Sequence, residues 1–270
     1  MKLAALALLA DKAAVREHMD VLKGMRAQAK DTEGVRLDIL LAHAATATKD
    51  WALLREAGIR LLSSNPGSDT ALRYVVTASL FTKDWDLGHK AISARFARIP
   101  DDLAAIRADA ELAEGRGDFA GARKILRPLI DKNRAEINDI NQYTWNSLFL
   151  GKVSDEDLSL IQRAINDNSS YPEIHTLACL YAEIGKTKEA RELLLRAMDS
   201  VGMDEPNEPI WYGFGRIAED YGLEAVALSL YQRVGKGEDE VDSPSSTYNL
   251  ARLRERMLKS ANSSAVSRGQ

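Results

Sequence analysis

The sequence predicts an all-α protein, a right-handed α-solenoid (superhelix) of antiparallel helix pairs, on three observations. The first is the stretch from Tyr171 to Met198, which reads as two short helices around a tight turn. Ile174, Leu177, Ala178 and Tyr181 fall at i, i+3, i+4 and i+7, one face of a helix with 3.6 residues per turn. Gly185 stands where a helix C-terminus takes a left-handed residue. Ala190, Leu194 and Ala197 then form a stripe of small and branched residues where two helices approach closely. The second observation is a recurrence at 34 residues. Lys49-Asp50-Trp51, Lys83-Asp84-Trp85 and Gly117-Asp118-Phe119 repeat at that interval, and Gly151 and Gly185 keep the phase. The third is that Pro66 and Pro100 share the interval. Proline has no amide to donate and disfavours helix before it, so each closes a second helix.

The elements follow in order. Residues 1–34 read as an N-terminal helical cap or partial repeat, with Val15, Met19, Leu22 and Met25 at helical spacing. Met1–Ala10 has one lysine before a short apolar run, like a weak signal peptide. That run ends at Asp11 without a small-x-small cleavage site, so the reading favoured is a buried first helix of the array. A fragment of a longer array is the third reading. The phase gives units at 35–68, 69–102, 103–136, 137–170 and 171–204. Asp101 and Asp102 place carboxylates at the next helix start, as Ser154-Asp155-Glu156-Asp157 does later. Through Glu205-Pro206-Asn207 the register slips by three, and a sixth unit spans 208–241. Gly235–Glu240 is a polar exit loop. The segment 242–260 reads as a capping helix, Tyr248–Lys259, with Leu250, Leu253 and Met257 inward and Arg252, Arg254 and Arg256 outward. The serine-rich tail 261–270 reads as disordered.

This pattern resembles the tetratricopeptide repeat, a 34-residue helix–turn–helix unit with bulky, Leu, Gly or Ala, and Tyr positions in its first helix. The best match is Trp211-x2-Phe214-Gly215-x2-Ala218, with Gly222 at the turn and Ala227 in the second helix. Asp109 departs from the family by standing at a leucine position. The resemblance covers roughly 35–241. It implies a concave groove lined by first helices, with partner contacts at the second, fifth, ninth, twelfth and thirteenth positions of each unit. Carried over by phase, these are Arg36, Ile39 and His43; Arg73, Thr77, Leu80 and Phe81; and Arg107, Glu111 and Glu114. Further on they are Asn138, Asn141, Trp145, Leu148 and Phe149; His175, Cys179 and Glu183; and Tyr212, Arg216, Glu219 and Asp220. Arg73 and Arg107 occupy the same position in neighbouring units and would pair a carboxylate between them. Asn141, Trp145 and Phe149 form an i, i+4, i+8 strip suited to an extended peptide, or equally to packing between repeats. Some family members clamp acidic chaperone tails with Lys, Arg and Asn in three successive units; that combination is absent here.

Composition bounds the function. Apolar residues make up 45% and charged residues 28% of a 270-residue chain of net charge −4, which offers no general attraction to nucleic acid or anionic membrane. No apolar run approaches the ~20 residues that cross a bilayer. A single cysteine, Cys179, excludes an internal disulfide framework and suits a reducing compartment. The expected location is cytoplasmic, or periplasmic or secreted if residues 1–10 are a signal. HExxH, paired CxxC, P-loop and GxSxG patterns are all missing. His175 and Cys179 share a helix face but lack a third group for nucleophilic or zinc chemistry. The expectation is a non-enzymatic protein-interaction scaffold without metal or cofactor, holding a partner peptide or helix. The alternative is a regulatory region of a longer protein whose catalytic domain lies elsewhere, or a periplasmic or secreted assembly factor.

Overall fold

The computed structural model describes residues 12–166, 170–236 and 243–268, and among them every regular element is an α-helix. The expectations for residues 1–11, and for most of the exit loop, lie outside the described residues. The chain divides into two compact units, residues 1–112 and 113–270.

In the first unit, α1 (Lys12–Gln28), α2 (Asp31–Thr48), α3 (Trp51–Ser64), α4 (Asp69–Thr82) and α5 (Trp85–Arg98) follow one another, and α6 (Leu103–Gly115) begins. From α1 to α5 each helix packs on the one before it. One core gathers Val15, Met19, Leu41, Leu54, Ala57 and Tyr74; a second gathers Leu72, Val76, Ile92, Ala105 and Leu112. Buried charges act as clamps between helices. Asp38, 2% exposed, takes Arg26 at 2.9 Å and Arg60 at 2.7 Å. Arg95, 3% exposed, binds Asp69, Asp102 and the Pro66 carbonyl, tying the loop after α3 to the end of α5.

The second unit holds α7 (Phe119–Asp131), α8 (Ile137–Phe149), α9 (Asp155–Ala164), α10 (Tyr171–Glu183), α11 (Thr187–Ser200), α12 (Glu208–Asp220), α13 (Glu224–Gln232) and α14 (Thr247–Arg268). Consecutive helices pair, and α8 packs on α10, α10 on α12 and α12 on α14. The helical spacing read in the sequence is the packing found: Ile174, Leu177, Ala178, Ala190, Leu194 and Ala197 are all buried.

The turns explain the 34-residue recurrence. Lys49, Lys83, Gly117, Gly151 and Gly185 all adopt left-handed backbone, and the aspartate after each of the first three caps the next helix. Asp50, Asp84 and Asp118 accept from the amides of Leu53, Leu87 and Gly121. The aromatic that follows lies against a later ring, Trp51 on Phe81 and Phe119 on Phe149. Asp102 and Ser154 cap α6 and α9 as expected.

The Gly213 and Gly215 pair serves close packing. A Cβ on Gly215 would lie 2.5 Å from the Tyr231 ring, and one on Gly213 would lie 2.8 Å from Leu194. Gly215→Ala is therefore expected to cost about 1–3 kcal/mol of stability, read by urea unfolding, because Tyr231 is fully buried and has nowhere to go. An unchanged midpoint would show that α12 and α13 separate freely.

One expectation for the C-terminus is corrected. In α14 the buried residues, among those whose burial is described, are Thr247, Leu250, Ala251, Glu255 and Leu258, while Leu253 and Met257 are exposed. The stripe is rotated because Arg252 and Arg254 point inward: Arg252 donates to the Tyr231 and Val234 carbonyls, and Arg254 binds Glu219. The helical backbone continues to Arg268. Once α14 is anchored, each added residue gains a backbone hydrogen bond without a new nucleation cost.

Candidate functional site: two helix faces, one open and one covered

The resemblance places partner contacts on the faces of α2, α4, α6, α8, α10 and α12. In the first unit that face is open. Arg36, Ile39 and His43 on α2 and Arg73 and Phe81 on α4 are all exposed. His43 Nε2 lies 3.3 Å from the Tyr74 hydroxyl, which ties α2 to α4 at this face. Phe81 stacks on Trp51 with ring centres 3.9 Å apart, yet keeps 43% of its surface exposed; Ile39 keeps 41%. Neither Arg36 nor Arg73 forms an ion pair with a described residue, so both guanidiniums face solvent. Arg107 on α6 is half-buried. Asp109, the departure from the family pattern, lies 4.0 Å from His89 Nδ1; burial raises its carboxyl and His89 partly offsets that.

In the second unit most of the same positions are buried or half-buried, Asn138 and Asp220 being the exposed ones. His175 is 5%, Tyr212 1% and Arg216 3% exposed, so none of these three predicted contacts is accessible. His175 lies flat against Tyr171, with ring centres 5.6 Å apart, and near Trp145. Its Nε2 sits 3.0 Å from the Pro209 carbonyl, which accepts only, so this nitrogen carries the proton. Burial lowers the imidazole to about 4, and the bond to Pro209 opposes this. Cys179 Sγ approaches the same nitrogen at 3.4 Å, but burial, then Glu183, pushes its thiol up. A neutral ring whose near nitrogen is already a donor cannot take the thiol proton. This pair supplies no thiolate nucleophile.

Arg216 centres a charge network. Its Nε donates to Glu183 at 2.9 Å, and its Nη1 lies 2.7 Å from Glu219 as an ion pair without hydrogen-bond alignment. Arg254 from α14 and the Tyr231 hydroxyl also reach Glu219. Burial works against the charged forms. Glu183 and Glu219 outweigh that for Arg216, raising it, while Arg254 and Arg216 hold Glu219 below the usual carboxylate value.

Trp145 and Asn141 on α8 are half-buried, and the chain's own segment before α14 reaches Trp145. The Trp145 indole N–H donates to the Ser245 carbonyl at 2.9 Å, across 100 residues of sequence. Phe149 is half-buried between Trp145 and Phe119. Sequence reasoning missed this cover entirely.

No described group of three His, Cys, Asp or Glu side chains is placed to hold a metal ion, and no described helix is long and apolar enough to cross a membrane. A cleft of about 490 Å³ beside Arg26, Asp50, Glu56 and Arg60 is lined by charges of both signs.

Paired helices stacked through their first members, with left-handed turns at a fixed phase, define an α-helical repeat protein. Its fold is that of the tetratricopeptide repeat. A crystal structure of a tetratricopeptide repeat protein from Parabacteroides merdae is similar, with a TM-score of 0.61 at 16% sequence identity, over 92% of this chain and 96% of that one. No protein-family model and no curated protein matches the sequence.

Proposed function

We propose that the chain is a non-catalytic protein-interaction scaffold that receives a partner peptide or helix on the open face of its first unit. The observation that carries this is the contrast in exposure. Arg36, Ile39, His43, Arg73 and Phe81 stay exposed, whereas three predicted contacts of the second unit are inside. Unpaired guanidiniums beside exposed Ile39 and Phe81 suit a segment that offers both a carboxylate and an apolar side chain. Stacked helices hold that face rigid, which lowers the ordering cost of docking.

Affinity capture from cell extract beside an R36E/R73E variant tests the reading. Both side chains are exposed, so melting temperature is expected to stay within a degree or two of the parent. The partner is expected to be recovered by the parent, lost by the variant, and cross-linked by a photoreactive residue at Ile39. Equal recovery by both proteins, without cross-linking from position 39, would rule out this face.

A further inference from the structure

The residue before the turn glycine is apolar and exposed in three successive units. Leu150, Ile184 and Tyr221 are the C-terminal caps of α8, α10 and α12, and Tyr221 keeps 63% of its surface in solvent. Each is followed by a glycine in left-handed backbone, Gly151, Gly185 or Gly222. The preceding units place Thr48, Thr82 and Arg116 at this position, and their chain also turns through a left-handed residue, Lys49, Lys83 or Gly117. The turn therefore does not need an apolar side chain here. Neither does the core: Leu150, Ile184 and Tyr221 belong to no described cluster and pack against none. Isolated exposed apolar residues are ordinary, but three at one repeat position form a patterned surface.

The three caps stand in a row along one edge of the second unit, because α8 packs on α10 and α10 on α12. Thr187 Oγ1 donates to the Tyr221 hydroxyl at 3.1 Å, and a Cβ on Gly185 would meet Asp220 Oδ2 at 3.9 Å, so the last two turns are neighbours. Two residues beyond each cap come Lys152, Lys186 and Leu223, all exposed. Neither lysine forms an ion pair with a described residue; Lys186 lies over the Tyr181 ring at 5.3 Å. The nearby carboxylates are engaged elsewhere. Glu183 and Asp220 face Arg216, while Asp155, Glu189 and Glu224 sit in the first turns of α9, α11 and α13, where they meet the helix dipole.

We infer that this edge docks an amphipathic α-helix of a partner protein, apolar at every seventh residue and acidic beside the first two of those residues. Axes of packed helices lie about 8–10 Å apart, which sets the step from one cap to the next. Seven residues of a helix rise about 10.5 Å and return to nearly the same side, so one helix meets all three caps. An extended segment does not, since its same-side residues recur about 6.6–6.8 Å apart. Lys152 and Lys186 supply the charge that the partner's carboxylates complete. The edge lies one residue beyond the last positions that the repeat resemblance assigns to a groove, and it is independent of whatever the first unit binds.

The test uses the full chain and a fluorescein-labelled peptide of about 20 residues, alanine-rich so that it is helical alone. The peptide carries leucines at three positions seven apart and glutamates beside the first two. Anisotropy is expected to show binding by the parent. L150T/I184T/Y221T puts the residue of Thr48 and Thr82 at each cap, so it is expected to melt within a degree or two of the parent. It is expected to bind at least about tenfold more weakly. K152E/K186E is expected to lose affinity at low salt, with a smaller difference as salt rises. R36E/R73E is expected to bind this peptide as the parent does, which separates failure here from failure of the first-unit reading. No binding by the parent overturns the proposal, and so does equal binding by the threonine variant or by a peptide with its leucines moved off the seven-residue spacing. A parent that is dimeric in light scattering, with a monomeric threonine variant, overturns the partner assignment in favour of a second copy of the chain.

Discussion

Arg216→Ala is expected to lower stability by about 3–5 kcal/mol, read as a shift of the urea midpoint at pH 7, with no defect confined to partner capture. The side chain is 3% exposed and faces Glu183, Glu219 and Asp220. Removing it leaves Arg254 as the remaining cation, among the described residues, against three carboxylates, with Glu183 and Glu219 largely withdrawn from water. Deleting one partner of a buried ion pair costs far more than the intact pair contributes, because the remaining charge is uncompensated. Adding E183Q to R216A is accordingly expected to recover part of the loss, since it removes one stranded charge. A midpoint that does not move would place Arg216 on the accessible face that its repeat position implies.

The second large effect is on pH. Burial takes the His175 imidazole from 6.5 to about 4, so between those values the unfolded chain holds a proton that the folded chain does not. Stability therefore rises with pH across that window: the contribution of neutral His175 is complete above 6.5 and is lost as pH falls toward 4. At about 1.4 kcal/mol per pH unit, the full loss is about 3 kcal/mol, with about 2 kcal/mol of it already gone at pH 5. Glu219, held below the usual carboxylate value, loses its contribution only at lower pH, so the two transitions are separated. Urea titrations at pH 7.5, 6 and 5 are expected to show the decline in the parent and a flattened profile in His175→Gln. The same slope in both proteins would assign the pH dependence to another group.

Much of the fold was legible because tetratricopeptide-like pairs write their geometry locally. The stripe in α10 and α11 reports which side is inside, and the 34-residue phase reports where each left-handed turn falls. Lys49 and Lys83 hold that conformation without glycine, and the phase, not the residue type, revealed them. The site was less legible, since position in a repeat predicts direction and not cover. Tyr212 points where a groove residue should point, but Tyr231 and the α14 side fill the space. Nothing near Trp145 in the sequence announces a carbonyl 100 residues away. The α14 phase failed for a related reason. An apolarity count favours Leu253 and Met257, whereas the arginines turn inward to meet carboxylates and carbonyls that belong to other helices.

The bond from the Trp145 indole to the Ser245 carbonyl also bears on how the second unit comes apart. In a stack of repeats each unit ordinarily touches only its neighbours, so one end can fray while the rest stays folded. A contact across 100 residues joins α8 to the segment before α14, so loss of the last helix is felt at α8 as well.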